Sequence, residues 1–160
     1  MGILIFLILN IIKLNVLEVS SPAFDSYGFI PDRYTCNGKN VNPSLFVQNI
    51  PSNTKSLAVI LTDPNSTDNA VDHWSCWNIK PSDIIVENTK PGIEGRNSIG
   101  LNAYEGPCPP SGTHHYIFKV YALDKMLDLK PGAEKKEVLK AMEKHILALG
   151  ELIGKYQNDN

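Results

Sequence analysis

The stretch GPCPPSGTHHYIFKVYALD, residues 106–124, joins two kinds of local structure. Its first seven residues are Gly, Pro, Cys and Ser, which predict a constrained loop. The part from Tyr116 to Leu123 is rich in β-branched and aromatic residues and predicts a buried strand. His114 and His115 lie where the loop becomes the strand, so they are the first candidates for a functional role.

Turn signals rich in Pro and Gly recur outward from this stretch, from Asn15 to Tyr121. Between them lie short β-rich runs: VLEV, SLFV, SLAVILT, HWSCWNI, DIIVE and YIFKVYAL. Short strands at this spacing predict a mainly antiparallel β fold, a sandwich or a barrel, and not parallel βαβ units.

The C-terminal part of the chain changes its apolar period. Steps of four, four, three and four residues separate Val138, Met142, Ile146, Leu149 and Ile153. That spacing is typical of one helix face, and Pro131-Gly132 precedes it as a turn signal. We therefore predict one C-terminal helix through these residues, packed against the sheet.

The composition limits the class of protein. The chain has 160 residues, 42% of them hydrophobic, which suits one globular domain with a core. Lys and Arg number 15 against 17 Asp and Glu, and they cluster in nothing longer than a pair. A nucleic-acid partner is not expected, because such proteins usually carry a basic stripe.

The N-terminal segment, residues 1–15, differs from the domain of residues 16–160. MGILIFLILNII is shorter than the roughly 20 residues of a membrane-spanning helix but fits the apolar core of a signal peptide. No Lys or Arg precedes it and no Ala-x-Ala site follows, so a mis-annotated start and an apolar tail packed on the domain stay open. With a signal peptide the protein would be secreted or periplasmic; otherwise it would be cytoplasmic.

Three cysteines leave an odd number for pairing. If the chain is exported, we expect one disulfide between Cys36 and Cys108, because both lie in turn-rich loops. Cys76 lies inside an apolar run and is expected to be buried. The sequence has no Cys-x-x-Cys, His-x-His or His-Glu-x-x-His pattern, so no metal or other cofactor is predicted.

Two further polar residues, His73 and Asp63, lie within or at the end of predicted strands. In VDHWSCWNI, strict alternation places His73 with Ser75 and Trp77, away from Cys76, which disfavours a Cys–His nucleophilic pair. Such a histidine is more often a hydrogen-bonded core residue than a ligand. Asp63 ends SLAVILT before a proline, and it either caps an Asx-type turn or accepts a hydrogen bond from an imidazole.

These residues also carry a family resemblance. The sequence from about Val16 onward resembles the phosphatidylethanolamine-binding protein family, which includes the Raf kinase inhibitor protein, and in particular its small bacterial and archaeal branch. The matching blocks are IPDRYTCNGKNVNPSL, Asp63-Pro64, His73-Trp74, GPCPPSGTHHY, YALD and ELIGKY. The resemblance implies an antiparallel β-sandwich with a flanking C-terminal helix and one small anion pocket.

The family's pocket positions correspond here to Asp63, His73, Gly106, Pro107, His114 and Tyr116. The resemblance implies that His73 and His114 donate hydrogen bonds to an anion, with a backbone N–H near Gly106 as a further donor. Asp63 would orient one imidazole. The loop GPCPPSG would form the pocket wall.

Two departures from the family pattern lie at the pocket rim. The usual Asp-Pro-Asp-x-Pro is Asp63-Pro64-Asn65-Ser66-Thr67 here, so the second carboxylate is an amide and the last proline is absent. His115 occupies the position of the usual arginine, and it is expected to point away from His114 because neighbours in a strand face opposite ways.

The resemblance implies a non-catalytic protein that binds phosphate or a phosphorylated head group. Binding is expected to strengthen as the pH falls through about 6.5, where an imidazole gains its proton. One alternative is an interaction module that inhibits a kinase or a serine protease. Another is a phosphoester hydrolase, for which the sequence offers neither an activated nucleophile nor a metal set.

Overall fold

The β-rich runs of the sequence form the strands of two sheets. The structure, a computed structural model, describes residues 15–66 and 70–158. Its strands are β1 (Asn15–Val16), β2 (Glu18–Ser20), β3 (Leu45–Gln48), β4 (Ser56–Asp63), β5 (Val71–Ile79), β6 (Ile84–Ile85), β7 (Ile93–Glu94), β8 (Thr113–Leu123) and β9 (Ile146–Gln157). A helix, α1 (Lys135–Met142), precedes β9, and a 3-10 turn spans Asp32–Tyr34. The interpretations of residues 1–14 and of Thr67 concern parts of the chain outside the described residues.

The larger sheet has six strands in the order β1-β9-β8-β4-β5-β7, and the smaller has three in the order β2-β3-β6. All neighbours are antiparallel except β1 and β9, which are parallel. The predicted mainly antiparallel β-sandwich with one flanking helix is confirmed.

Two apolar cores hold these layers together. The first lies between the sheets and contains Leu45 and Val47 of β3 with Leu61 of β4 and Phe118 of β8. The second lies on the other face of the larger sheet, where α1 contributes Val138 and Met142. Successive residues of β4 enter the two cores in alternation, which explains why SLAVILT is apolar throughout.

The predicted length of the C-terminal helix is wrong. Only Val138 and Met142 of the proposed face are helical, and the residues from Ile146 onward form β9. Burial in β9 alternates, with Ala148, Gly150, Leu152, Gly154 and Tyr156 all buried. The glycines fit the strand because a side chain at Gly150 would lie 2.2 Å from the Leu17 carbonyl oxygen. Apolar residues spaced by three and four positions, which predicted a helix, therefore also fit a strand whose side chains alternate between two faces. Pairing with β8 stabilises the strand.

Within the described residues, no helix has the length and apolar character needed to cross a membrane.

Candidate functional site

Three strands of the larger sheet bring the predicted polar residues to one cavity. Asp63 ends β4, His73 lies in β5 and His114 lies near the start of β8. The cavity has a volume of about 270 Å³. Its lining consists of Asp63, Ser66, Val71, Asp72, His73, Asn97, Ile99, Glu105, Gly106, Cys108, Pro109, Pro110 and His114. Four of the six predicted residues thus line the cavity, and the other two, Pro107 and Tyr116, are buried beside it.

Asp63 has both of the roles that the sequence left open. Its Oδ1 accepts a hydrogen bond of 2.8 Å from the backbone N–H of Asn65, as in an Asx-type turn. Its Oδ2 lies 2.6 Å from Nδ1 of His114. Because a carboxylate only accepts, Nδ1 of His114 carries a proton, and Nε2 is the ring nitrogen left for a ligand.

A β-bulge changes the side on which His73 lies. The pairing of β4 with β5 shifts by one residue between Leu61–Trp74 and Thr62–Asp72, which leaves His73 as the additional residue. Its ring contacts Tyr116 edge to face, with 5.3 Å between the ring centres, on the side of the first core. The expectation that His73 shares a face with Trp77 and lies away from Cys76 is therefore wrong, since Trp77 lies in the second core and Cys76 in the first.

Two hydrogen bonds to Glu105 hold His73 in place. The backbone N–H of Glu105 donates to the carbonyl of His73 over 3.0 Å, and Nδ1 of His73 donates to the carbonyl of Glu105 over 2.9 Å. Burial lowers the pKa of His73, although the Glu105 carbonyl and the nearby Asp63 oppose that shift. The neutral ring with its proton on Nδ1 is the form that this environment favours.

The backbone N–H of Gly106 is already occupied. It donates to Oδ1 of Asn40 over 2.7 Å, so the N–H of Gly106 itself is not the additional donor expected near this residue. Gly106 instead serves the close packing of two segments. A Cβ atom there would lie 2.1 Å from the carbonyl oxygen of Tyr34, which is too close for any residue other than glycine.

Pro107 and the disulfide fasten the wall of the cavity. The carbonyl of Pro107 accepts a hydrogen bond of 3.1 Å from the N–H of Cys36. A disulfide joins Cys36 to Cys108, the two cysteines that the sequence argument paired, across a separation of 72 residues. Cys76 is free and buried. The loop that carries Gly106 is thus tied to the segment that follows the 3-10 turn.

Tyr116 lies beside the cavity, with its hydroxyl near the Asp63 carboxylate and the backbone of Cys108. The residue is fully buried, and among the described residues its hydroxyl makes no hydrogen bond within the usual geometric limits. Burial raises the pKa of Tyr116, and the negative charge of Asp63 raises it further. Tyr116 therefore stays a neutral phenol. Its hydroxyl can donate a hydrogen bond to a ligand if the ligand or the neighbouring ring of His73 moves.

The residues that depart from the family pattern contact one another. Oδ1 of Asn65 accepts a hydrogen bond of 2.8 Å from the backbone N–H of His115. The ring of His115 lies 6.4 Å from that of Tyr27 and does not line the cavity, whereas Ser66 does. Among the described residues, no arginine lines the cavity at this rim, and the two changed residues tie the turn after β4 to the start of β8.

Acidic groups outnumber fixed positive charges around the cavity. Asp63, Asp72 and Glu105 line it, while within residues 15–66 and 70–158 no lysine or arginine does. Asp72 forms an ion pair with Lys135 of α1. The same described part of the chain contains no group of three or more His, Cys, Asp and Glu side chains placed to hold a metal ion.

Comparison with known proteins supports the resemblance seen in the sequence. Residues 20–157 match the family model described as phosphatidylethanolamine-binding protein. The chain belongs to the phosphatidylethanolamine-binding protein family. Among the relatives of this family member, the UPF0098 protein PH1269 of Pyrococcus horikoshii is 47% identical over 88% of this chain and 76% of its own. A UPF0098 protein of Methanothermobacter thermautotrophicus is 43% identical over 88% of this chain and 99% of its own.

Solved structures show the same fold in two other family members. The Chlamydia trachomatis protein CT736, described as a homologue of the phosphatidylethanolamine-binding protein, is 35% identical, with a TM-score of 0.86 over 91% of this chain and 99% of its own. Escherichia coli YbcL, described as a new member of the mammalian family, is 27% identical, with a TM-score of 0.82 over 89% of this chain and 99% of its own. The fold of this chain is thus that of its family.

Sequence reasoning missed three residues of the site in this family member. Asp72 and Glu105 line the cavity, and Asn40 bonds to both Glu105 and Gly106. Asp72 and Glu105 directly precede His73 and Gly106 in the sequence. Their place beside predicted site residues is the signal that could have identified them. Asn40 is 66 residues from Gly106, and only the folded structure brings them together.

Proposed function

We propose that this chain is a non-catalytic binding protein that holds phosphate or a phosphorylated head group in the cavity between Asp63, His73 and His114. One observation carries the proposal. Two imidazoles from different strands line the same cavity, and each has its Nδ1 bonded to a protein acceptor. Nε2 of each ring is then available for one ligand.

The size of the cavity supports a small ligand group. Its volume of about 270 Å³ is below the range of roughly 300–1,000 Å³ that is usual for drug-sized ligands. A phosphate with a few further atoms is compatible with that volume. The prolines 109 and 110 at the wall restrict backbone motion, so little conformational entropy is lost when a ligand binds.

The charges around the cavity support weak binding that improves in acid. Each carboxylate in the described lining of the cavity has a partner: Asp63 bonds to His114, Asp72 to Lys135, and Glu105 to Asn40. Among the described lining residues, positive charge then depends on an imidazole that gains a second proton, and burial lowers the pKa of His73. We therefore expect affinity for a doubly charged anion to rise as the pH falls below about 6.5, starting from dissociation constants of about 0.1–10 mM.

The test is a two-dimensional NMR titration of the full chain with phosphate, phosphoethanolamine and sulfate. Sulfate separates protonation of the protein from that of the phosphate group, whose second ionisation falls in the same pH range. Shifts should cluster at the cavity residues and disappear in a His73→Ala/His114→Ala double variant. His145→Ala is the matched control, because His145 also pairs with an aspartate but lies elsewhere. If tens of millimolar ligand caused no chemical-shift changes at the cavity, that result would contradict the proposal.

A second candidate function, an interaction module for a kinase or a serine protease, is favoured by the mouth of the cavity. Ile99 lines the cavity and is 61% exposed, and Leu101 in the same loop is 52% exposed. Exposed apolar residues beside a polar pocket suit contact with another protein. Hydrolysis of a chromogenic peptide by a serine protease should then be inhibited by the chain and less so by Ile99→Ser. If tens of micromolar of this chain did not inhibit the protease, a role as a serine-protease inhibitor would be contradicted.

A further inference from the structure

One peptide unit beside the cavity is held from both sides. The carbonyl of Glu105 accepts the proton of His73 Nδ1 over 2.9 Å, and the N–H of Gly106 donates to Oδ1 of Asn40 over 2.7 Å. Carbonyl and N–H belong to the same peptide bond. Because a trans peptide is planar, its carbonyl and its N–H point in opposite directions. A partner that fixes the N–H therefore also fixes the direction of the carbonyl.

Asn40 holds this unit with both ends of its amide. Its Nδ2 donates to Oε2 of Glu105 over 3.1 Å, while its Oδ1 accepts from Gly106. The orientation of the amide is forced, since a backbone N–H only donates and a carboxylate only accepts. Asn40 has a φ of +54°, a left-handed conformation that asparagine tolerates better than most residues.

The other contacts of the loop do not replace the two hydrogen bonds of Asn40. The carbonyl of Pro107 bonds to the N–H of Cys36, and Cys108 is held by the disulfide, but both lie beyond the peptide unit in question. Glycine at position 106 also leaves the backbone more free to rotate than another residue would. Rotation of the unit would turn the Glu105 carbonyl away from His73.

We propose that Asn40 is a positioning residue that fixes the tautomer of His73 by holding the Glu105–Gly106 peptide unit. The fixed carbonyl keeps the proton on Nδ1 and leaves Nε2 free of a proton in the neutral ring. The consequence for a ligand rests on the proposed function. Nε2 of the neutral ring accepts a hydrogen bond, so the site favours a phosphate group that carries a proton over one that carries none.

Other charged and titratable groups face the same ring. They are Asp63 on β4, Asp72 on β5, His114 and Tyr116 on β8, and Glu105 in the loop. Among the described residues, the ring of His73 makes its hydrogen bond to the backbone carbonyl of Glu105, and the backbone of Gly106 adds a smaller favourable contact. The carbonyl of Glu105 is therefore the main group that fixes where the proton of the neutral ring lies.

The test records the two-bond ¹H–¹⁵N correlation spectrum of the histidine rings in the full chain without ligand. Asn40→Gly removes both hydrogen bonds and adds no strain at a positive φ. Asn40→Asp/Glu105→Gln keeps an acceptor for Gly106 and avoids facing the Glu105 carboxylate with a second carboxylate. Asn49→Gly is the control, because Asn49 also has a positive φ, +62°, and lies exposed after β3. Each sample is then titrated with sodium phosphate at pH 7.

The spectrum of the wild type should show His73 with its proton on Nδ1. Asn40→Gly should convert it to a mixture of tautomers, whereas Asn40→Asp/Glu105→Gln and Asn49→Gly should leave it unchanged. Phosphate affinity of Asn40→Gly should fall about fivefold, the effect of one ordinary hydrogen bond.

Two results overturn the role of Asn40: a wild-type His73 protonated on Nε2, or a His73 that stays protonated on Nδ1 in Asn40→Gly. If Asn40→Gly does not fold, the wild-type and Asn40→Asp/Glu105→Gln spectra decide, and a changed tautomer in Asn40→Asp/Glu105→Gln overturns the role. If the tautomer changes as expected but no sample binds phosphate, the role of Asn40 is supported and the proposed function fails.

Discussion

Asp63 and His114 form a buried hydrogen bond of 2.6 Å, and the same chain contains an exposed pair of the same chemistry, Asp124 and His145, at 2.8 Å. The side chains of the first pair are 5% and 13% exposed, and those of the second are 44% and 36% exposed. Because the two pairs differ chiefly in burial, they allow the effect of burial to be measured within one molecule.

Asp63→Ala should destabilise the fold far more than Asp124→Ala. Removing Asp63 leaves Nδ1 of His114 and the N–H of Asn65 without their acceptor, at a cost of about 3 kcal/mol. The exposed pair is screened by water, and its loss should cost at most about 0.5 kcal/mol. Urea unfolding of the wild type and both variants at pH 7 gives the two values. Equal losses would contradict a structural role for the buried pair.

His73 should make the stability of the fold depend on pH. Burial lowers its pKa in the folded chain below the usual value of about 6.5, so between those two pKa values the unfolded chain binds more protons. The free energy of unfolding should therefore rise with pH through this window, and this contribution should be lost as the pH falls below about 6.5.

The check for this pH dependence compares urea unfolding at pH 5, 6, 7 and 8 in the wild type and in His73→Asn. Asparagine keeps a donor near the position of Nδ1 but does not titrate. The difference between the two proteins should shrink or reverse in acid. A difference that is constant over the whole range would show that His73 does not titrate differently in the folded and unfolded chains.

Much of the fold could be predicted from the sequence because local patterns and tertiary structure agree there. The apolar run that ends at Asp63 is a strand, and the strand after residue 112 carries His114 and Tyr116 on one face, as alternation requires. Family resemblance supplied the link between these strands. No local pattern could have joined Asp63 to His114, which are 51 residues apart.

The errors have physical causes that a single sequence does not show. Apolar residues from Ile146 to Ile153 fit a helical spacing as well as a strand, and pairing with β8 decides in favour of the strand. The bulge at His73 depends on the register between β4 and β5. The bond from Gly106 to Asn40 depends on how two loops meet, so the loss of that N–H as a ligand donor appears only in the folded chain.

Gly106→Ala should destabilise the fold and disturb the cavity. The added Cβ would lie 2.1 Å from the Tyr34 carbonyl oxygen and 2.8 Å from Oδ1 of Asn40, so backbone must move, at a cost of about 2–3 kcal/mol. Gly100→Ala is the comparison, because Gly100 has a positive φ of +88° but no atom near the new Cβ, and strain alone should cost about 1 kcal/mol. Thermal unfolding ranks the two. A Gly106 variant as stable as the Gly100 variant would contradict the close packing.

Counting reactive thiols should distinguish the three cysteines. Cys76 is fully buried, and burial raises the pKa of its thiol to about 12, so it should not react with a thiol reagent in the native protein at pH 8. Cys36 and Cys108 should not react before reduction, because the disulfide occupies both. An aromatic disulfide reagent should therefore detect no thiol in the native state and one after denaturation. Alkylation after denaturation and reduction should modify three cysteines, as counted by mass spectrometry.

The same disulfide should contribute to stability as well as to the count. It closes a loop of 72 residues, and loop-closure entropy predicts that Cys36→Ser/Cys108→Ser lowers the free energy of unfolding by about 4 kcal/mol. Cys76→Ala, which removes a buried thiol and no cross-link, is the matched control. Detection of two thiols in the native protein would show that Cys36 and Cys108 are reduced. The wall of the cavity would then be held at this point by the bond from Cys36 N–H to the Pro107 carbonyl, and the double variant should lose little stability.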